Sequence, residues 1–205
     1  MTLMPGVISA VLALAPLVPA ADWQSMFDGK SLGGRWRVAA FSRRREIKVE
    51  NGAIILTNGA PLSGVNYTGP FPKINYEVRF EAARMKGNDF FASLTAPAGE
   101  SFITLVTGGW GGDIVGVSSI DGWDASENET RTYFNFEPNR WYALRLRVTP
   151  DKITAWIDDQ QVVNVNVAGR ELSLRPGDIK LSTPFGFASY NTMGAVRKIE
   201  FRTLP

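Results

Sequence analysis

The chain has 205 residues, 44% hydrophobic and 20% charged, with a formal net charge of +2. That fits one ordinary globular core and excludes a disordered chain. It contains no Cys and no His, which removes disulfides, thiolate nucleophiles, zinc sites built from His and Cys, and His-dependent triads.

Catalysis, if any, falls to carboxylates, Tyr, Lys, Ser or Thr, or to a metal held by oxygen ligands. The small net charge gives no reason to expect a nucleic-acid partner. Arg43-Arg44-Arg45 reads as a solvated strand edge.

Val7 to Val18 is an apolar run followed by Pro19-Ala20-Ala21, small residues of the kind a signal peptidase cuts beside. The run is short of the roughly 20 residues a membrane span needs, so residues 1–21 are expected to be a signal peptide. The mature chain, residues 22–205, is then secreted or periplasmic, with no membrane span left after cleavage.

Period-two alternation dominates from there on. Ile47 to Val49 and Ile54 to Leu56 flank Asn51-Gly52, a pair suited to a type I′ hairpin turn. Ile74 to Ala82 alternates apolar residues with Asn75, Glu77, Arg79 and Glu81, a strand with a charged outer face. Phe90 to Thr95, Phe102 to Thr107 and Ile114 to Ser119 follow, rich in aromatic and β-branched residues. Trp141 to Thr149 turns at Pro150-Asp151 into Lys152 to Ile157, Asp158-Asp159 leads into Val162 to Val167, and Val196 to Thr203 ends the series. Many short strands with turn clusters between them predict one all-β, two-sheet antiparallel sandwich over residues 22–205.

Two stretches also carry a resemblance. Trp23, then Phe27-Asp28-Gly29-Lys30, Leu32 and Trp36 resemble the opening of the 3-keto-disaccharide hydrolase family. Asn139-Arg140-Trp141-Tyr142, the alternating strand after it, Ile153 to Asp158, and the closing Val196 to Arg202 are similar to its far end. The resemblance covers nearly all of residues 22–205 and implies a jelly roll of the concanavalin A-like lectin/glucanase type, with a carbohydrate as partner. Better-known members carry an Asn-Ser-Gly strand with a following Arg, and then a Glu and Gln strand. Here Asn88 matches, while the Arg and the Glu/Gln pair have no counterpart.

The chemistry is expected in the stretch from Gly87 to Thr130. Trp110 stands between two Gly pairs, which permit sharp turns and can leave the indole as a platform for the C–H face of a sugar. Asn88, Asp113, Trp123, Asn128 and Glu129 supply further groups for sugar hydroxyls or rings. Glycoside cleavage usually takes two carboxyl groups about 5–9.5 Å apart. Asp89, at the edge of a predicted buried strand where desolvation raises a carboxyl pKa, and Glu127 are the acid/base candidates. Glu127 and Glu129, two apart, would share a face if that segment were a strand.

No cofactor is expected. A calcium site from Asp121, Asp124 and Glu127 is the one metal reading left open, and it lacks the spacing of an EF-hand. Two functions follow from the same residues. One is a glycosidase or lyase acting on a 3-keto or ordinary glucoside. The other is a non-catalytic carbohydrate-binding or surface-interaction module.

Overall fold

The computed structural model describes residues 21–42 and 46–205. The expected leader, up to Ala20, and Arg43-Arg44-Arg45 lie outside the described residues. The strands are β1 (Gln24–Ser25), β2 (Trp36–Val38), β3 (Lys48–Glu50), β4 (Ala53–Leu56), β5 (Leu62–Tyr67), β6 (Tyr76–Lys86), β7 (Ser93–Ala98) and β8 (Ser101–Gly109). They continue with β9 (Ile114–Ser118), β10 (Thr132–Tyr133), β11 (Trp141–Val148), β12 (Lys152–Ile157), β13 (Gln160–Asn166), β14 (Gly186–Tyr190) and β15 (Met193–Thr203).

They form two antiparallel sheets. One runs β13-β12-β11-β6-β15-β4-β3, with β1 also pairing β15, and the other runs β10-β9-β8-β7-β14-β5-β2. The all-β jelly-roll expectation is met. Asn51 and Gly52 both take positive φ (51° and 77°), as the predicted β3–β4 turn requires. Among the described residues no helix is long and apolar enough to cross a membrane.

Alternation places Val78, Phe80, Leu144, Leu146 and Ile153 of the first sheet against Leu94, Ile103, Leu105, Val117 and Phe187 of the second, all essentially without solvent contact. Phe80 meets Phe187 edge to face across the sheets, with ring centroids 4.8 Å apart. At one end Trp36, Tyr67, Phe185 and Phe187 cluster, and the Trp36 Nε1–H donates to the Met26 carbonyl (2.8 Å). The Trp23 to Trp36 opening is thereby pinned to the core. At the other end Phe91, Phe134, Phe136 and Tyr142 form a second aromatic cluster beneath the loop that carries Trp110.

Two sequence expectations need correcting, and two strands had no signal in the sequence. The strand expected over Phe90 to Thr95 begins only at Ser93 and continues through Pro97 to Ala98. Strands β5 and β14 (Leu-Ser-Gly-Val-Asn-Tyr and Gly-Phe-Ala-Ser-Tyr) show no apolar alternation, because small and polar residues face both ways. The segment holding Glu127 and Glu129 is a set of turns and not a strand. Asp124 Oδ1 accepts from the Ser126 N–H and Oγ–H, and Asn128 Oδ1 accepts from the Thr130 N–H and Oγ–H. Local side-chain bonds of this kind displace a ladder.

Candidate carbohydrate site on the seven-stranded sheet

On the outer side of the seven-stranded sheet, Thr95 pairs with Thr104 and Thr104 with Ser118 across three strands. Their neighbours Ser93 and Val106 lie on the same face. These side chains are short, and the Thr95 and Thr104 hydroxyls bond each other (2.9 Å). Loops cover this face in place of water, so the small residues leave a hollow of about 620 Å³ floored by Ser93, Thr104, Val106 and Ser118. That size lies within the usual range for small-molecule sites, about 300–1,000 Å³. One end is apolar, where Tyr190 packs on Phe90 (5.7 Å between centroids) beside Leu62 and Ile179. Arg175 to Ile179 forms the facing wall.

The Trp110 loop forms another wall. Trp110, Gly111 and Gly112 all have positive φ (48°, 101° and 110°), which turns the chain sharply and leaves the indole 39% exposed at the cavity. A Cβ on Gly112 would come within 2.6 Å of Arg84 Nη1 and 2.9 Å of the Asn88 carbonyl. Arg84 donates from Nη1 to the Gly112 carbonyl (2.8 Å) and from Nη2 to the Phe136 carbonyl, fastening the loop to the aromatic cluster below.

Asp89 holds the other side of this loop. Its Oδ1 accepts from the Phe90 N–H (2.7 Å), and the backbone N–H groups of Trp110 and Gly111 add a favourable field for the carboxylate. Burial still prevails over those backbone donors and pushes the Asp89 carboxyl above the usual carboxylate range. Arg175 lies 5.4 Å from the Trp110 ring centre and donates to Asp124 Oδ2 (2.7 Å), so Asp124 fixes the cation at the cavity mouth.

The structure brings Asp89 and Trp110, 21 positions apart, onto one cavity. It does not bring Glu127 there. Glu127, Asp113 and Asn88 are exposed, Trp123 is 58% exposed, and none of the four lines the hollow. Asn128 is buried and structural, its Nδ2 donating to the Val117 and Trp123 carbonyls. Glu129 accepts from Arg170 (2.7 Å), a bond that holds its carboxyl below the usual range. Of the residues considered for calcium, Asp121 is engaged by Arg170 and Asp124 by Arg175. Among the described residues, no three His, Cys, Asp or Glu side chains group as metal ligands.

Sequence reasoning missed Arg175, Asp178, Tyr190 and the hydroxyl floor. Arg175-Pro176-Gly177-Asp178 is legible as a turn, but only the β14–β5 pairing it precedes shows which cavity it overhangs.

Comparison with known proteins agrees with this architecture. No curated protein is similar enough in sequence to match. A candidate glycosyl hydrolase from Parabacteroides distasonis superposes with a TM-score of 0.55 at 12% identity, over 89% of this chain and 94% of that one. The carbohydrate-binding module CBM66 from Bacillus subtilis gives 0.53 at 12% identity, over 82% and 96%. The Crh5 transglycosylase in complex with NAG gives 0.58 at 11% identity, over 92% and 88%. At such identities these structures share the fold, and they include a catalytic protein and a binding module. The family is set by sequence: residues 22–204 match the 3-keto-alpha-glucoside-1,2-lyase-like domain, and the chain belongs to that family.

Proposed function

We propose that this domain cleaves the glycosidic bond of a 3-keto-glucoside by elimination, with Asp89 as the base, after export from the cell. The observation that carries the reading is a half-buried carboxylate with raised proton affinity, held against the loop of an indole at the wall of a sugar-sized hollow. The two carboxyl groups lining the hollow are Asp89 and Asp178, and Asp178 is exposed. A pair of matched, desolvated carboxyls for direct hydrolysis is therefore lacking there. Elimination asks for one good base.

In this reading Trp110 stacks on the sugar face and the Ser93, Thr104 and Ser118 hydroxyls contact its hydroxyl groups. The 3-keto group acidifies the C2–H bond. Asp89 takes that proton, and the electron pair moves onto the C3 oxygen as an enolate. Collapse of the enolate restores the ketone, forms C1=C2 and expels the C1 oxygen, which takes a proton from water. Among the described residues, Arg175 is the cation lining the cavity, and it favours the enolate charge.

The test is turnover of a p-nitrophenyl 3-keto-α-glucoside by the purified domain, reading both nitrophenol and the unsaturated keto-sugar. Wild type should produce both, and Asp89→Asn should lose at least about a hundredfold. The fold match to CBM66 favours one alternative, a binding module. Saturable sugar binding without any product would establish that alternative and refute the lyase.

A further inference from the structure

The outer face of the eight-stranded sheet carries a tiled array of cations. Register places Arg147, Glu77 and Arg202 in one row, Arg145, Arg79 and Glu200 in the next, and Glu81 beside Arg197 in a third. Lys198 reaches Glu81 from the bulge in β15 (2.6 Å). Each carboxylate is fully engaged. Glu77 takes Arg147 and Arg202, Glu81 takes Arg197 and Lys198, and Glu200 takes Arg79. Among the described residues of β6, β11 and β15, six cations thus meet three carboxylates on this face, although the formal net charge of the whole chain is only +2.

Two details make the surplus directional. Arg145 and Arg79 stand directly opposite each other across strands, a like-charge pairing that destabilises a sheet. The nearest carboxylate to Arg145 is Glu77 at 3.6 Å, itself already bonded by two other arginines. Indoles flatten the guanidinium groups: Arg145 lies 4.0 Å from the Trp156 ring centre, Arg79 lies 4.2 Å from Trp23, and Arg197 lies 3.9 Å from Trp141. A stacked guanidinium keeps its in-plane N–H donors free, and that fork matches a carboxylate or sulfate.

We infer that this face is a second binding surface, for a polysaccharide bearing carboxylate or sulfate groups. An anion seated over Arg145 and Arg79 relieves their repulsion and uses the unspent donors. The choice of a glycan among polyanions follows the sugar chemistry of the family, and the face is separate from the cavity on the other sheet.

The test is affinity electrophoresis of the purified protein through gels containing polygalacturonate or, as a neutral control, dextran. Wild type should be retarded by polygalacturonate alone at about 20 mM ionic strength and released as salt shortens the screening length to about 3 Å near 1 M. Arg145→Gln with Lys198→Gln removes two cations while leaving Arg147 and Arg202 on Glu77 and Arg197 on Glu81. Its apparent Kd should rise about five- to tenfold with an unchanged Tm. Asp89→Asn should be retarded like wild type, which separates this surface from the proposed lyase site. No retardation of wild type, equal retardation of the double variant, or retardation that persists near 1 M salt would each overturn the inference. Equal binding to duplex DNA or to phosphatidylglycerol vesicles at the same ionic strength would overturn the assignment to a glycan.

Discussion

The two outer faces of this sandwich solve one problem in opposite ways. On the eight-stranded sheet the residues pointing away from the core are long, charged and mutually paired, and water completes their hydrogen bonding. On the seven-stranded sheet the equivalent positions hold Ser93, Thr95, Thr104 and Ser118, and loops rather than water lie above them. A face open to solvent tolerates large ionic side chains. A face roofed by loops keeps its hollow only if the side chains beneath are small, and an ionic group set among them is partly desolvated. Asp89 is such a group. Desolvation that is a structural cost becomes a chemical resource, because it raises the basicity of the carboxylate.

The largest effect that tests this contrast is Asp89→Asn. It should lower kcat/KM by about 10²–10⁴-fold while leaving the fold intact. The sign of its effect on stability is opposite to that of an ordinary ion-paired acid. Because burial raises the Asp89 pKa, the folded state binds that proton more tightly than the unfolded chain, and ionising it costs stability as pH rises. The Asn variant should therefore melt at or above the wild-type temperature at pH 7, with the difference vanishing below about pH 4. An Asn variant that unfolds would recast Asp89 as scaffolding for the Trp110 loop.

Next in size is Glu77→Ala on the opposite face. Burial alone would raise the Glu77 carboxyl, but hydrogen bonds from Arg202 and Arg147 and their charges hold it below the usual range. Removing it strands cations over a buried position and should cost about 2–3 kcal/mol, discounted for the partial exposure of the arginines. Urea unfolding measures it. The contribution of Glu77 is complete above a pH of about 4.3 and is lost as pH falls through its lowered pKa, the reverse of Asp89. Trp110→Ala should come third, raising KM about three- to tenfold through lost stacking, with kcat less affected. Smallest is Glu127→Gln, expected to change neither turnover nor stability by more than about 0.5 kcal/mol. A tenfold loss of turnover there would move the chemistry out of the hollow and onto the loop of Asp121 to Thr130.

Where the sequence was informative follows the same division. Strands β6, β11, β12 and β15 read clearly, because one face is apolar and the other is charged or amphipathic. The Glu77, Arg79 and Glu81 side chains lie on the outer face, as the alternation predicts. Strands β5 and β14 were invisible because Ser63 and Ser189, in register with each other, face inward while Gly64 and Ala188 lie beneath Phe41 and its neighbours. At the site, Asp89 and Trp110 stood out by residue type and by the glycines around Trp110. Glu127 and Glu129 shared those credentials, yet Asp124 and Asn128 fold their segment into turns away from the cavity. Asn66 and Asn128, each the first residue of an Asn-X-Thr sequon, are both buried and bonded to backbone carbonyls. Arg175 and Tyr190 needed the strand order, which local pattern does not encode.

Strand β15 has a wider consequence. It lies between β6 and β4 in the middle of its sheet, pairs with β1 from the other end of the domain, and supplies Arg202 to Glu77. A nascent chain that stops before Met193 has β6 and β4 with no partner between them, and its Glu77 lacks one of the two cations that hold it ionised. The sheet therefore cannot close until Met193 to Thr203 have been made. Folding of the domain waits for that strand, and a truncation before Met193 should leave a protease-sensitive product rather than a slightly smaller domain.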